Sequence, residues 1–508
     1  MTKIDSNLYA ALRAAFPADL SAIAVETDSG LFYSWRDMER GSAMLANFLL
    51  SLDLPAGSRI AAQVDKSVEA LMLYLATLRA GYVFLPLNTA YQSAEVAYFL
   101  GDAEPAVVVC TGKNFPWVSK LAFQAGTPWV FTLNDDRTGS LLERAAHASD
   151  QPVCATRQPG DVAVIIYTSG TTGRSKGAML THGNMLSNAL VLQKYWGWRT
   201  PKQGGDVLIH ALPIFHVHGL FVASHGALIN GSKMIWLSKF DPKVVLRRLK
   251  DATVFMGVPT LYVRLLAEPG LNPQVCKSMR LFVSGSAPLL TDTFNAWQQR
   301  AGHTILERYG MSETIMLTSN PYVGARRGGT VGQPLPGVQL RVVDGQGKPV
   351  PTGDIGDIQV KGPNVFAGYW RMPEKTAQEF TADGFFKTGD VGKQEADGYV
   401  TIVGRSKDLI ISGGYNVYPA ELESFINDLP GVAESAVVGV PHPDFGEVGV
   451  ALVVARTGAQ LDGAAILAQL KASVANYKVP KQCFVVPELP RNAMGKVQKN
   501  LLRQQYSA

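Results

Sequence analysis

Residues Asp161–Gly177 read "DVAVIIYTSGTTGRSKG". The first half is a short apolar run of β-branched character, the signature of a strand buried on both faces. The second half holds three threonines, two serines, three glycines and Lys176 between Tyr167 and Gly177. Such residues compete with regular structure and are costly to order, so a chain that groups them at a strand's end is building a loop. Glycines let backbone N–H groups approach an anion closely, hydroxyls add donors and Lys176 adds charge. A helical stretch, "NMLSNALVLQKYW", begins just beyond. Strand, gripping loop and helix together suit a polyphosphate. A Walker A loop is excluded, because that pattern needs glycine where Ser175 stands. Taken alone, the segment reads equally as a polar surface loop with a solvated lysine.

Outward from this point the same alternation recurs. "RIAAQV", "SVEALMLYLATLRA", "YVFLPL", "SAEVAYFLGD" and "PAVVVC" follow one another between residues 59 and 110, a βαβ pattern that predicts a mostly parallel sheet. "DVLIHALPIF", "ATVFMGVP" and "RLFVSGSA" repeat it, each ending in small or polar residues where open α/β sheets bind ligands. From about residue 330 the texture changes to short strands with Gly, Pro and Asp turns, which predicts an antiparallel or barrel-like subdomain. After "YVTIVGRSKDLIISGGYNVYP" a compact α+β pattern follows. The expected architecture is α/β: a large N-terminal domain over residues 1–404, a hinge at 405–408, and a small mobile α+β domain over 409–508.

Composition bounds the function. With 508 residues, 47% hydrophobic and 18% charged, the chain is that of a globular protein with two or three units. A net charge of +5 admits small anionic ligands but carries no basic stripe for nucleic acid. Four scattered cysteines, without metal spacing, argue for a reducing compartment. "EALMLYLATLRAGYVFLPL", interrupted by Arg79 and Gly81, reads as a core helix followed by a strand, not a membrane span. Without a secretory signal, the expectation is cytoplasmic, with no stable membrane association and an oligomeric state left open.

Further along lie "ERYGMSET" with Glu313, "FFKTGD" ending on Asp390, "VGRSKD" with Arg405, and "PRNAMGK" with Lys496. Each singly has a plain structural reading: a cap, a turn aspartate, a surface arginine, a tail lysine. In this order and spacing they resemble the adenylate-forming family of acyl-CoA synthetases, luciferases and peptide-synthetase adenylation domains. The resemblance spans nearly the whole chain. It implies that Thr168, Ser169, Gly170, Thr171, Thr172, Gly173 and Lys176 hold the β- and γ-phosphates of ATP. It places Ser286, Ala287 and Pro288, with Glu307, Arg308, Tyr309, Gly310, Met311 and Ser312, around adenine and the α-phosphate. Glu313, with Thr168, would hold Mg²⁺. Asp390 would take the ribose, Arg405 the ribose or phosphate side, and Lys496 the α-phosphate and attacking carboxylate. Ser312 stands where threonine is usual and keeps the hydroxyl.

The resemblance further implies a second half-reaction with CoA, reached by rotation of the C-terminal domain about Lys407. Gly413, Gly414 and Tyr415 would then line the pantetheine tunnel, though the glycine pair reads equally as a tight strand turn. His216 matches a position that gates that tunnel, or is a hydrogen-bonded core histidine. "HALPIFHVHGLF", "GVPTLYVR" and "ERYGMSETIMLTSNPY" resemble the malonate-activating branch of the family. There the arginine after "GVPT", here Arg264, binds the carboxylate that is not activated, a task that suits a planar guanidinium fork. Arg264 alone would read as a surface arginine. His218, Ser286, Gly310 and Met311 would complete the acid pocket. The expected reaction joins malonate, or a small 2-substituted malonate, to CoA with ATP. A short-chain or aryl acyl-CoA synthetase and an enzyme loading a carrier protein are the alternatives.

Overall fold

The computed structural model describes residues 6–168, 175–412, 415–443, 445–474, 476–492 and 495–507. A seven-stranded sheet runs in the order Gly368–Tyr369, Lys176–Thr181, Val162–Thr168, Val83–Pro86, Arg59–Gln63, Val107–Cys110, Trp129–Thr132. Its strands from Val162–Thr168 to Trp129–Thr132 are parallel, as the βαβ pattern predicts. The strands Val162–Thr168 and Lys176–Thr181 pair antiparallel, with Thr168 opposite Lys176. A nine-stranded sheet carries Leu306–Tyr309, Leu281–Ser284, Val254–Gly257, Val207–His210, Lys233–Trp236 and Ile23–Thr27 as its parallel centre. The inner strands Val254–Gly257 and Leu281–Ser284 are buried at every residue and carry no charged residue.

The helix Val68–Ala80 is buried at every residue, including Arg79, whose guanidinium is held by Tyr9, Ser42 and the carbonyls of Glu39 and Val153. A helix apolar on all sides belongs inside a large core. It shares one contiguous core with residues of both sheets. Among the described residues no helix is long and apolar enough to cross a membrane.

The turn-rich region after residue 330 departs from the barrel-like expectation. Gln339–Val343, Gly356–Lys361, Phe386–Gln394 and Val400–Arg405 form an open antiparallel sheet whose first and last strands do not pair. Four strands are too few to enclose a filled interior. The sheet instead lays Ile358, Val360 and Phe386 onto the main core. Its last strand ends at Arg405, and Ile410–Ser412 already belongs to the C-terminal sheet. There Val432–His442 and Gly446–Ala455 pair over their full length and carry an apolar cluster on each face. One turn of 3₁₀ helix, Ser406–Asp408, joins the two sheets.

Candidate active site

Strand ends deliver the polar residues to one cleft. Asp390 and Arg405 face each other across an antiparallel pair, so register alone brings them together. Arg405 Nε lies 2.8 Å from Asp390 Oδ1, and the Tyr309 hydroxyl donates to Asp390 Oδ2. Asp390 is only 3% exposed. Burial raises its carboxyl above the usual range, while Arg405 and the Tyr309 hydroxyl pull it back. Glu313 sits on the tight turn after Tyr309, where a side chain at Gly310 would collide with the Ile315 carbonyl at 1.8 Å. That close approach explains the glycine. Glu313 is 6% exposed and accepts a 3.0 Å hydrogen bond from the Tyr369 hydroxyl. Burial raises it too, opposed by Arg405 and Lys176. Lys176 Nζ stands 4.2 Å from the centre of the Tyr369 ring. Ser312 is half-buried beside Glu313.

Lys496 enters this cleft from the C-terminal domain. Its loop is shaped by a bridge between Arg491 and Val497, by Asn492 Oδ1 accepting from the Lys496 N–H at 3.0 Å, and by Gly495 at φ +76°. Lys496 is an exposed residue whose charge faces this cleft. Desolvation on the cleft side, then Arg405, lowers its pKa, against Asp390 and Glu313. Lys496 thus feels the charges of Asp390, Arg405 and Glu313 together. Lys407 lies in the joining turn Ser406–Asp408.

A second group of polar residues lies deeper. His216 is pushed down to about 3, first by burial and then by Lys496 and Arg308, so it is neutral at pH 7. His218 is lowered in the same way, and its Nδ1 lies 3.4 Å from Ser286 Oγ. It opens a π-helical stretch, His218–Ser224, a rare form that is frequent at functional sites. Ser286 adopts φ +71°, a left-handed conformation that a non-glycine residue takes only when its surroundings impose it. Ala287 and Pro288 beside it are exposed, and Met311 is half-buried.

Arg308 is the unusual member. It is 3% exposed, and its Nε and one terminal nitrogen have no hydrogen-bond partner. A Cβ at Gly285 would lie 2.5 Å from its guanidinium carbon, so the glycine makes room for it. Burial lowers Arg308 to about 9, which leaves it charged at neutral pH; Tyr262 and Glu307 oppose the shift. The charge of Arg308 therefore stands beside His216 and His218. Arg264, the residue expected to hold the second carboxylate, lies on the helix that follows the strand Val254–Gly257. The helix Pro259–Leu266 buries Leu261, Tyr262 and Leu265, and this phase turns Arg264 outward. It is exposed and, among the described residues, makes no ion pair or hydrogen bond.

Glu307 lies beneath the Ser286–Pro288 turn and not in the open cleft. Its Oε1 accepts the Leu289 N–H at 2.9 Å, while Oε2 has no partner. Burial raises it from 4.5 to about 8. The folded protein thus holds a proton that the unfolded chain has released. The stability this contributes is full below about pH 4.5 and is lost as pH rises through about 8. Glu307→Gln keeps the acceptor for Leu289 and cannot ionise. Its melting temperature should fall less than the parent's between roughly pH 5.5 and 8.5. Parallel curves would place that titration elsewhere.

Three residues around the phosphate loop carried no sequence signal. Tyr98 and Asp102, one helical turn apart on Ser93–Ala103, clasp the loop's two stems: Tyr98 donates to the Ser175 carbonyl at 2.7 Å and Asp102 accepts from the Tyr167 hydroxyl. Tyr369 is the third. Thr168 is half-buried at the end of its strand. Ser169, Gly170, Thr171, Thr172, Gly173, Gly413 and Gly414 lie outside the described residues, and only the backbone of Tyr415 is placed, in the strand Tyr415–Val417.

Residues 13–370 match the model of the AMP-binding enzyme family, and residues 421–496 match that of the AMP-binding enzyme C-terminal domain. The chain belongs to this family. Among solved structures, ATP-bound MatB from Rhodopseudomonas palustris is 54% identical, with 99% of each chain covered and a TM-score of 0.96. The apo form of the same protein superimposes at 0.85. The present arrangement is thus nearer to the nucleotide-bound member of the family. A malonate–CoA ligase of Arabidopsis thaliana is 34% identical over 88% of this chain and 78% of its own. A feruloyl-CoA synthase of Amycolatopsis is 36% identical over 94% of each.

Proposed function

We propose that this enzyme ligates malonate to CoA at the expense of ATP, through malonyl adenylate, releasing AMP and pyrophosphate. One observation carries the choice of acid: a buried, unpartnered guanidinium, Arg308, among the acid-pocket segments. A charge left unpaired in a protein interior is costly, and a ligand carboxylate is the partner that relieves it. Malonate offers one carboxylate to the nucleotide and a second to Arg308. The likeness to malonate-activating relatives at 34% and to MatB at 54% supports the same reading. The feruloyl-CoA synthase likeness supports an aryl acid instead, but such an acid would leave Arg308 without a counter-charge.

A carboxylate is a poor electrophile towards a thiol, and joining it to AMP removes its charge and supplies a leaving group. The first step brings two anions together, so the chain's cations must meet the growing charge. In this reading Lys496 sits at the α-phosphate and the attacking carboxylate. Arg405 flanks the ribose that Asp390 holds, and Lys176 meets the outer phosphates with the Ser169–Gly173 loop. Ser286 to Pro288 and Tyr309 to Ser312 wall the adenine and acid. His218, Ser286, Gly310 and Met311 shape the space in front of Arg308. A magnesium ion fits the donor set, because Glu313 is a buried carboxylate facing the cleft and Thr168 offers a hydroxyl opposite the phosphate lysine. Held there, magnesium supplies positive charge to the phosphates. Neutral His216 is an acceptor beside Lys496. CoA would then follow once the C-terminal domain turns about Lys407, bringing Gly413, Gly414 and Tyr415 to the tunnel.

The test is direct. Incubation with malonate, ATP, magnesium and CoA should yield malonyl-CoA, AMP and pyrophosphate in equal amounts, and omission of CoA should leave malonate-dependent ATP–pyrophosphate exchange. AMP formation that needs a carrier protein in place of CoA would transfer the enzyme to the carrier-loading class.

A further inference from the structure

The phosphate lysine has a carboxylate for company that the reaction does not use. Lys176 Nζ lies 3.6 Å from Glu379 Oε1, with side chains 20% and 23% exposed. Glu379 is the last residue of the helix Pro373–Glu379, and the carbonyl end of a helix is an unfavourable place for a negative charge. Two cations hold it there: Lys176 from the phosphate loop and Lys375 at 2.8 Å from one turn earlier. On its other side Lys176 rests on the Tyr369 ring, whose hydroxyl is bound to Glu313. The ammonium is thus suspended between an aromatic face and a carboxylate.

We propose that Glu379 is a competing counter-ion, which contends with the polyphosphate of ATP and with pyrophosphate for Lys176. The inference rests on the reading of this cleft as the ATP site. A lysine is a flexible point charge, so it exchanges one anion for another by rotating its stem. An internal carboxylate at its side lowers the net gain from binding phosphate and, for the same reason, eases the departure of pyrophosphate. Glu379 is then a positioning residue that trades affinity for release. Tyr369 keeps the ammonium close to Glu313 whichever anion it meets.

The parent enzyme is first assayed for malonate-dependent ATP–pyrophosphate exchange; its absence overturns the reading of the site and not this proposal alone. Where exchange is present, Glu379→Gln should lower both KM for ATP and the inhibition constant of inorganic pyrophosphate by about two- to fivefold, the scale of a partly exposed ion pair. KM for malonate should hold. Glu379→Asp, which withdraws the carboxylate but keeps its charge, should tighten pyrophosphate in the same direction. Glu374→Gln, an equal charge change on the exposed side of the helix, should not. In a Lys176→Met background the Glu379→Gln substitution should have no further effect on pyrophosphate binding. Unchanged or weaker pyrophosphate binding in both Glu379 variants overturns the proposal. So does a gain that persists without Lys176, or one matched by Glu374→Gln.

Discussion

Lys496→Ala should lose adenylation almost entirely while keeping most of its ability to make thioester from supplied malonyl adenylate. The ammonium lies among Arg405, Asp390 and Glu313, and His216 also feels its charge. It belongs to the C-terminal domain, so the rotation proposed above for CoA entry would carry it away. Removing one preorganised charge from a transition state that gathers negative charge costs roughly 10²-fold or more. Single-turnover measurement of each half-reaction separates the two. Equal losses in both would assign Lys496 to CoA binding or folding.

Arg308→Met should cut kcat/KM for malonate by roughly 10²–10³, because a second carboxylate buried without its cation forfeits about 3–5 kcal/mol. The same change should raise the melting temperature, since an unpartnered interior charge is replaced by an apolar side chain of similar length. Loss of activity with gain of stability is the mark of a group kept for a ligand. Arg308→Lys should rescue poorly, for a point charge does not reproduce the fork. Arg264→Ala, at the surface, should leave malonate kinetics within about twofold, as surface changes generally do. The reverse pair of results would return the second carboxylate to Arg264.

The two arginines, Arg264 and Arg308, show what a sequence can hold. The βαβ alternation and the core helix Val68–Ala80 are legible because burial on all sides leaves an unbroken apolar run. The meeting of Asp390 with Arg405 follows from strand register, which is not written locally, although each motif is. The barrel-like expectation failed because turn spacing is the same in an open and a closed sheet; only the pairing of edge strands distinguishes them. Arg264 depended on helix phase, and the buried set Leu261, Tyr262 and Leu265 is fixed by what the helix packs against. The signal for Arg308 was present and differently weighted. Leu306–Tyr309 is a strand of a parallel sheet, buried on both faces, so consecutive charges at 307 and 308 must lie inside. Tyr98 and Asp102 left no trace, since they join Tyr167 and Ser175 across more than sixty residues.

The central claim is that a dicarboxylate is selected by a cation in the acid pocket. It is tested most directly by kcat/KM of the parent enzyme for malonate, propionate and ferulate, scored as CoA-dependent AMP release under one set of conditions. Malonate should exceed both others by roughly 10²-fold or more, the worth of one buried charge pair. Propionate or ferulate used as well as malonate would contradict the account.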